Sequence, residues 1–351
     1  MIKKNKITIL QPDDWHVHFR EGDLLKAVTP FSSRINGRCI AMPNTEIPIT
    51  SSEHALKYKE EIIKNANNSS FEVLIPCYLT ENLDLNEFKK SLINNFFVGA
   101  KLYPNNATTN SSYGVSELEK IFPALEILQN EKKILLIHGE KVRDGVDIFD
   151  REKIFIDEDL KKIREEFKEL KIVLEHVSTS YGVDFVKTNK NIGGTITPHH
   201  MMLTKNDVFL KNNNIDPHHF CMPVVKNETD LLALRNAACI DNDKFFLGTD
   251  SAPHIIEHKL PNDKIRPGIF SAVCSIELYA HIFDEENSIE TLEKFSSING
   301  PNFYNMPVNS SKIHLEKKEW IVPDMTLYDS VKVKNFFGNK KINWKIVNLN
   351  V

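Results

Sequence analysis

The 351-residue sequence has no run of about 18 consecutive apolar residues, the length that a transmembrane helix requires. Its first ten residues include basic side chains, but they lack an apolar stretch long enough for a secretory signal peptide. The composition therefore favours a protein that neither spans a membrane nor is exported.

Paired cysteines are also missing. The five cysteines are odd in number and widely spaced, and no CxxC pair occurs among them. This argues against a disulfide framework and against a cysteine-based zinc site. We predict a reduced, soluble, cytoplasmic protein in which most cysteines are buried thiols.

An excess of basic charge is absent as well. Lys and Arg number 44 against 48 Asp and Glu, giving a formal charge of −4, which argues against a general nucleic-acid binder. Hydrophobic residues make up 41% of the chain, enough to exclude a disordered protein. The length allows two domains or one large barrel domain.

Short apolar runs rich in β-branched residues recur along the chain and predict strands. There are eight of them: 7–10 continuing to His18, 38–42, 71–79, 97–102, 133–138, 171–176, 192–197 and 245–249. Helical periodicity lies between them, for example over 115–128 and over 157–170, where Asp157 is a candidate N-cap. Parallel strands buried on both faces and joined by helices show this pattern.

Eight such units predict a (β/α)₈ (TIM) barrel rather than a doubly wound sheet. His16 and Asp250 are 234 positions apart, close to the roughly 250 residues of a typical barrel. We predict one domain over 1–351, with the barrel at about 7–306 and a short C-terminal extension at about 307–351. Within the extension, 320–322 and 345–349 are predicted as short added strands.

Residues with metal-binding or catalytic chemistry fall at the ends of these strands, where a barrel carries its active site. They are His16, His18, Asn44, Lys101, His138, His176 and Asp250. Side chains at i and i+2 share a strand face, so His16 and His18 can reach one metal ion while Val17 points outward.

Each of these residues also has an ordinary structural interpretation. A lone HxH is a weak signal, His138 or His176 alone could be a satisfied buried histidine, and Asp250 could cap a helix. Their conjunction at one edge of the barrel is far more specific. His199 and His200, after the seventh strand, are candidate neighbours of the same mouth.

Lys101 is unusual in this set because an ammonium ion is a poor metal ligand. Either it binds an anion, or CO₂ converts its neutral amine into a carbamate whose two oxygens can bridge two metals. A lysine pKa lowered by burial near cations would favour the second route. Imidazole and carboxylate ligands suit zinc, and two zinc ions would acidify a bridging water and polarise a carbonyl.

Longer motifs then indicate a family. They are Asp14-Trp15-His16-Val17-His18-Phe19-Arg20, Met42-Pro43-Asn44, Ala100-Lys101-Leu102-Tyr103-Pro104, Ile137-His138-Gly139-Glu140, Glu175-His176 and Gly248-Thr249-Asp250-Ser251-Ala252-Pro253-His254. Together they resemble the dihydroorotases of the amidohydrolase superfamily, in the compact bacterial form that works as a homodimer. The resemblance runs from about residue 11 to residue 306.

The resemblance implies a role for each matching residue. His16, His18 and Asp250 would bind one zinc, His138 and His176 the other, and carboxylated Lys101 would bridge both. Asp250 would also transfer the proton in catalysis. Arg20, Asn44 and His254 would hold the substrate carboxylate, and Thr108, Thr109, the Met222 backbone and Pro267 would contact the rest of the substrate. Residues 105–112 would form a mobile loop over the site.

The activity implied is the reversible interconversion of L-dihydroorotate and N-carbamoyl-L-aspartate in pyrimidine (UMP) synthesis, without nucleic-acid or membrane partners. Two alternatives remain open at this point. A hydantoinase or allantoinase would share the metal ligands without needing Arg20, Asn44 and His254 around a carboxylate. A catalytically dead barrel could act as an assembly partner, although such chains usually lose metal ligands.

Overall fold

The computed structural model describes residues 5–211, 214–260 and 265–347. The strands are β1 Lys6–Leu10, β2 Asp13–Val17, β3 Arg38–Ala41, β4 Glu72–Leu74, β5 Cys77–Tyr78, β6 Gly99–Leu102, β7 Ile134–Ile137, β8 Lys171–Leu174, β9 Ile192–Ile196, β10 Phe245–Leu247, β11 Lys312–Ile321, β12 Met325–Tyr328, β13 Val331–Lys334 and β14 Lys341–Ile346. The α-helices are α1 Gly22–Ile35, α2 Ser52–Lys64, α3 Leu85–Ile93, α4 Phe122–Asn130, α5 Arg151–Phe155, α6 Lys161–Glu166, α7 Ser180–Thr188, α8 Lys205–Val208, α9 Glu228–Cys239, α10 Ser275–Glu285 and α11 Asn299–Tyr304.

Strands β2 to β10 form a closed parallel barrel. Hydrogen-bonded neighbours run β2–β3–β4 and then β5–β6–β7–β8–β9–β10. The ring closes where the Asp250 N–H donates to the His16 carbonyl (2.9 Å) and the His18 N–H donates to the Ser251 carbonyl (3.0 Å). The predicted barrel with a C-terminal extension is confirmed, and its closure brings two predicted ligand segments together.

The barrel has separate inner and outer apolar layers. Strand residues that face inward form a buried cluster, closed at one end by Tyr304 of α11, whose ring stacks on Trp15 at 4.2 Å. The opposite strand faces pack against the helices in a larger core. Because both strand faces are buried, the strands appear in the sequence as continuous apolar runs.

The first predicted strand is wrong in one respect, because it is two strands in two sheets. Residues 7–10 belong to β1, which pairs antiparallel with β11, whereas β2 opens the barrel. The chain changes sheets at Gln11 and Pro12, and proline has no N–H to offer a ladder. The third predicted strand, 71–79, is likewise divided into β4 and β5 around Ile75 and Pro76.

The C-terminal extension consists of antiparallel strands in two small sheets. β11 pairs with both β1 and β14, and β12 forms a hairpin with β13. The strand predicted at 320–322 is the end of the much longer β11. The strand predicted at 345–349 begins earlier, at Lys341, and residues 348–349 lie outside the described residues.

The helix predicted over 157–170 begins six residues earlier, at Arg151. α5 and α6 are joined through a π-helical turn over Ile156–Leu160, so Asp157 lies within the helix and accepts from Lys153 and Lys161. An i, i+4 ion-pair ladder explains this acidic residue better than a cap. The pattern over 115–128 gives a 3₁₀ turn at Leu118–Ile121 followed by α4. In the part of the chain that the structure describes, every helix is too short or too polar to cross a membrane.

Candidate active site

Side chains alternate between the two faces of each strand, and this alternation places the predicted residues at the mouth of the barrel. On β7, Ile134 and Leu136 face the barrel interior, and His138 follows on the same face. On β10, Phe246 faces inward and Asp250 comes four residues later. Between them, Gly248 leaves room, since a Cβ there would lie 2.7 Å from the Thr195 Cβ.

The first barrel strand carries a local irregularity that turns two consecutive side chains inward. The pairing of β2 with β3 shifts register between Asp14 and Val17, so that Trp15 packs inside the barrel and His16 still faces the site. Such bulges redirect side chains next to active sites. Val17 packs in the outer layer, as predicted.

Three predicted metal ligands converge within hydrogen-bonding distance. The Nε2 atoms of His16 and His18 are 3.3 Å apart, and they lie 3.3 and 3.2 Å from Oδ1 of Asp250. A ligand atom of His176 lies within 4.8 Å of ligand atoms of His16 and Asp250. The histidines at the ends of β2 and β8 and the carboxylate that follows β10 thus lie close together.

Lys101 is fully buried, and its ammonium group donates to the Glu175 carboxylate. The other oxygen of Glu175 lies 3.1 Å from Nδ1 of His16. Burial lowers the pKa of Lys101, and the charge of Glu175 opposes that shift. The expected lowering by burial is therefore present, and it acts against the charge of a neighbouring anion.

The rings of His138, after β7, and His176, after β8, pack edge to face with centroids 4.7 Å apart. Nε2 of His138 lies 2.8 Å from the buried carboxylate of Glu140, which leaves Nδ1 as the nitrogen available to a metal. Within the described residues, Nδ1 of His176 is buried and has no hydrogen-bond partner. Both rings therefore have a nitrogen free to act as a ligand.

Buried charges set the protonation of this cluster. Burial lowers the pKa of His18 to about 3, so this ring is neutral. Burial also acts to lower the pKa of His16, but the charges of Glu175 and Asp250 outweigh it and raise the value to about 9. Burial favours protonation of Asp250, yet the charge of His16 holds the pKa of that carboxyl well below its usual value.

Two of the predicted carboxylate-binding residues, Arg20 and His254, lie next to each other at the same mouth. Nη2 of Arg20 lies 3.2 Å from Nε2 of His254, and the Arg20 Nε–H donates to the Pro253 carbonyl at 3.1 Å. Nε2 of His254 lies 3.0 Å from the Pro267 carbonyl. Burial, reinforced by Arg20, holds the pKa of His254 well below its usual value, so the neutral ring donates to Pro267.

The predicted site residues surround one small cavity. Those in its wall are His16, His18, Arg20, Asn44, Thr108, Thr109, His138, His176, Met222, Asp250 and Pro267. Lys101 reaches the cluster through Glu175, and His254 reaches it through Arg20 and Pro267. All thirteen predicted positions are therefore gathered at this end of the barrel.

The loop predicted to be mobile lies over the cavity. The Asn44 amide donates to the Thr109 carbonyl at 2.9 Å, and the Asn110 amide donates to the Asn44 carbonyl at 3.1 Å. The Thr109 hydroxyl donates to the Pro267 carbonyl at 3.4 Å. The loop is thus held against two other walls of the site.

His199 and His200 form a separate buried cluster with Cys221. Both ring nitrogens of His200 are engaged, Nδ1 with the Thr197 hydroxyl (2.7 Å) and Nε2 with the Pro223 carbonyl (3.0 Å). Since neither nitrogen is free, His200 packs as a satisfied buried histidine.

The sequence interpretation assigned no role to Glu175, Glu140 or Tyr103, which all lie at the site. Glu175 could have been found by alternation, because Val173 faces the barrel interior and Glu175 is the next residue on that face. Glu140 follows His138 by two positions in the same way. The Tyr103 ring lies 4.7 Å from the Lys101 ammonium, and it lines the cavity.

Comparison with known proteins places this site in a family. The model of the amidohydrolase family matches residues 13–344. A dihydroorotase of Aliivibrio fischeri (strain MJ11) is 44% identical over 341 residues, covering 97% of this chain and 99% of that protein. The chain belongs to the dihydroorotase family of amidohydrolases.

Solved structures agree with this assignment. Crystalline dihydroorotase from Saccharomyces cerevisiae, in complex with 5-fluoroorotic acid, has a TM-score of 0.91 at 30% identity, covering 98% of this chain and 99% of that one. An L-hydantoinase (dihydropyrimidinase) from Arthrobacter aurescens has a TM-score of 0.80 at 15% identity, covering 97% and 82%, a likeness of fold alone. As a dihydroorotase-family member, the protein is a metal-dependent hydrolase that acts on cyclic amides in pyrimidine biosynthesis.

The side chains of the site fit divalent metal ions of the kind that imidazole and carboxylate ligands select. The donor set is nitrogen and oxygen, at least one ring (His18) is neutral, and a buried ring nitrogen of His176 lacks a protein partner in the described residues. The His16 ring would release its proton on metal binding, because a ligating imidazole must be neutral.

Proposed function

We propose that this protein interconverts L-dihydroorotate and N-carbamoyl-L-aspartate. The observation that carries the proposal is the juxtaposition of Arg20 and His254 at the mouth that also holds the His16, His18 and Asp250 donors. A guanidinium fork recognises a carboxylate, and dihydroorotate carries one on its ring. A hydantoin ring has no carboxylate there, so this wall favours dihydroorotate over hydantoins.

We propose that two Zn²⁺ ions bind per chain. His16, His18 and Asp250 would hold one and His138 and His176 the other, with N6-carboxylated Lys101 between them. When bound, the ions supply Lewis-acid chemistry, lowering the pKa of a water molecule and polarising a carbonyl group. Burial of Lys101 supports carboxylation, because only the neutral amine reacts with CO₂.

In this proposal the chain's own residues hold the substrate and move the proton. Arg20, Asn44 and His254 bind the carboxylate, while Thr108, Thr109, Pro267 and the Met222 backbone fix the ring. Asp250 accepts the proton of the attacking water and delivers it to the amide nitrogen that leaves. In the biosynthetic direction the same carboxylate returns the proton, as microscopic reversibility requires.

The loop over 105–112 would shut water out of this reaction. Its contacts with Asn44 and Pro267 support such a role, since both residues belong to the proposed substrate wall. We also propose that the enzyme is a cytoplasmic homodimer whose substrate is a small molecule. Its near-neutral charge suits this assignment, because the anionic substrate is met by local groups.

A spectrophotometric dihydroorotate assay on metal-analysed protein tests the proposal. We expect turnover of dihydroorotate, about two metal ions per chain, and loss of both activity and metal in Lys101→Ala. Hydantoins assayed in parallel should be poor substrates. Two bound metals with turnover of hydantoin alone would overturn the substrate assignment, and no turnover of any ring substrate would point to a dead barrel.

A further inference from the structure

A buried lysine lies just behind the substrate wall and has no role in the chemistry proposed above. Lys259 ends the 3₁₀ turn Ile256–Lys259, and only 4% of its surface is exposed. Its amino group donates to the Phe220 carbonyl at 3.2 Å and to the Gly268 carbonyl. One side chain therefore links two segments that are 48 residues apart in the sequence.

Those two segments supply predicted substrate contacts. Met222 comes two residues after Phe220, and Pro267 directly precedes Gly268; both Met222 and Pro267 line the cavity. The segments are also joined directly, because the Gly268 N–H donates to the Phe220 carbonyl at 2.9 Å. Lys259 and the segments at Phe220 and Gly268 thus form a hydrogen-bonded junction behind the substrate wall.

The junction also touches the carboxylate-binding wall. A Cβ on Gly268 would lie 3.1 Å from Cδ2 of His254 and 2.4 Å from the Ala252 carbonyl, so the glycine backbone packs directly on the His254 segment. The Pro267 carbonyl, one residue away, lies 3.0 Å from Nε2 of His254. A shift of Gly268 would therefore move His254 and Pro267 together.

Resting on the function proposed above, we propose that Lys259 is a positioning residue for substrate binding. It fixes the Met222 and Pro267 segments at the separation that the substrate ring requires, and it keeps His254 aligned with Arg20. Hydrogen bonds from a charged donor are stronger than neutral ones, which suits a junction that must not drift. Burial lowers the pKa of Lys259 to about 7, but the neutral amine still has two N–H groups, one for each carbonyl.

The chain offers a matched control at the other end of the barrel. The Lys244 ammonium also joins two backbone carbonyls, those of Val186 (2.9 Å) and Asn189 (2.5 Å), but it precedes β10 and so lies away from the mouth. Lys244→Met removes the same kind of clamp without touching the substrate wall. An effect that both variants share would come from the loss of a structural hydrogen bond and not from a change in the substrate wall.

The kinetic test compares Lys259→Met, Lys259→Arg and Lys244→Met. We expect Lys259→Met to raise KM for dihydroorotate about tenfold, with kcat within about threefold and an unchanged metal content. Lys259→Arg should recover most of the affinity, since a guanidinium can donate to both carbonyls, and Lys244→Met should leave KM unchanged. An unchanged KM in Lys259→Met, or a fall in kcat together with lost metal, would overturn the proposal.

Hydrogen exchange gives a readout that needs no substrate. Amides of 219–222 and 268–270 should exchange faster in Lys259→Met than in the unaltered protein, and those of β7 should not. If the unaltered protein fails to turn over dihydroorotate, the proposed function fails, whereas unchanged exchange in these segments refutes the role of Lys259. Should Lys259→Met not fold, Lys259→Arg decides: near-normal KM and exchange support the role, and loss of metal contradicts it.

Discussion

At the scale of single residues, three site residues adopt a backbone conformation that side chains other than glycine rarely take. Arg20, His176 and Asp250 have φ values of 62°, 41° and 43°. Such conformations cost on the order of 1–3 kcal/mol each and persist where surrounding structure enforces them. Around Asp250 the enforcement is visible, because the Asp14 carboxylate accepts from both the N–H (2.9 Å) and the hydroxyl (2.6 Å) of Thr249.

Replacing Asp250 by asparagine separates proton transfer from metal binding. An amide keeps one oxygen for a metal, but it cannot accept the proton. We expect Asp250→Asn to retain much of its metal and to lose about 10²–10⁴-fold in kcat, the usual contribution of a positioned acid–base group. Steady-state kinetics with metal analysis measures this, with the exposed Asp23→Asn as control. A fully active, metal-loaded Asn variant would contradict the role of Asp250.

A second prediction at the scale of single residues concerns Glu175. Its carboxylate faces Nδ1 of His16 and accepts from Lys101, so it orients two proposed ligands at once. Loss of such an outer carboxylate typically costs about 10–100-fold in metal affinity. We expect Glu175→Gln to weaken zinc binding by that order in a chelator competition, while the exposed Glu165→Gln leaves it unchanged. Equal affinities for Glu175→Gln and the unaltered protein would disprove this orienting role.

At the scale of elements, the loop over 105–112, which follows β6, is the element whose contacts bear on access to the site. The Ser111 hydroxyl donates to the Thr108 carbonyl (2.6 Å), and the Asn106 N–H donates to the Ser111 carbonyl (3.0 Å), so the loop is folded on itself. Hydrogen bonds between Asn44 and the loop residues Thr109 and Asn110 hold the loop to the neighbouring part of the barrel mouth. A compact loop on few external hydrogen bonds can lift away from the site as a unit.

Weakening one of these ties should affect substrate binding more than chemistry. Asn110→Gly keeps the positive φ of 55° and removes the amide that donates to Asn44. We expect KM to rise about 2–10-fold, the equivalent of one ordinary hydrogen bond, with a smaller change in kcat. Asn106→Gly, at φ 56°, is the matched control, since its amide bonds only within the loop. Equal KM values in the two variants would rule out this tie as a closure contact.

The barrel strands could be predicted because burial on both faces leaves a continuous apolar run. Bounds such as 38–42 against Arg38–Ala41 and 192–197 against Ile192–Ile196 differ by a single residue. The predicted strand bounds are wrong where one apolar run continues across a change in the strand with which the chain pairs. Pro12 and Pro76 mark those points, since neither can donate to a ladder, and the apolar pattern alone does not reveal this.

For the site, residues at strand ends could be predicted because parallel strands bring those ends to one edge. Side-chain alternation on β8 places Glu175 on the inner face, but the metal-ligand pattern gives it no role, because that role depends on a lysine 74 positions away. Lys259 is harder still, since it acts on backbone carbonyls that carry no sequence signature. Side-chain types predict ligands, whereas contacts to backbone require the fold.

At the scale of the whole molecule, the described segments on either side of the barrel pair with each other. β1 pairs with β11, and β11 pairs with β14, so residues before the barrel and residues after it form one sheet. α10 packs against β14 through the same apolar core that surrounds the barrel. This continuity supports the proposal of a single domain over 1–351, in which the extension does not unfold alone.

A core substitution in the extension tests this unity. Trp344 of β14 is fully buried in that core, so Trp344→Ala should lower the free energy of unfolding by about 3–5 kcal/mol. Because the ends are paired, the loss should lower the stability of the barrel as well. Circular dichroism and residual activity should then decay together in urea, at a lower midpoint than in the unaltered protein. Leu327→Ala, at an exposed position, should stay within about 0.5 kcal/mol. If the two signals separated, with activity outlasting loss of extension structure, the extension would be an independent unit and the single-domain proposal would fail.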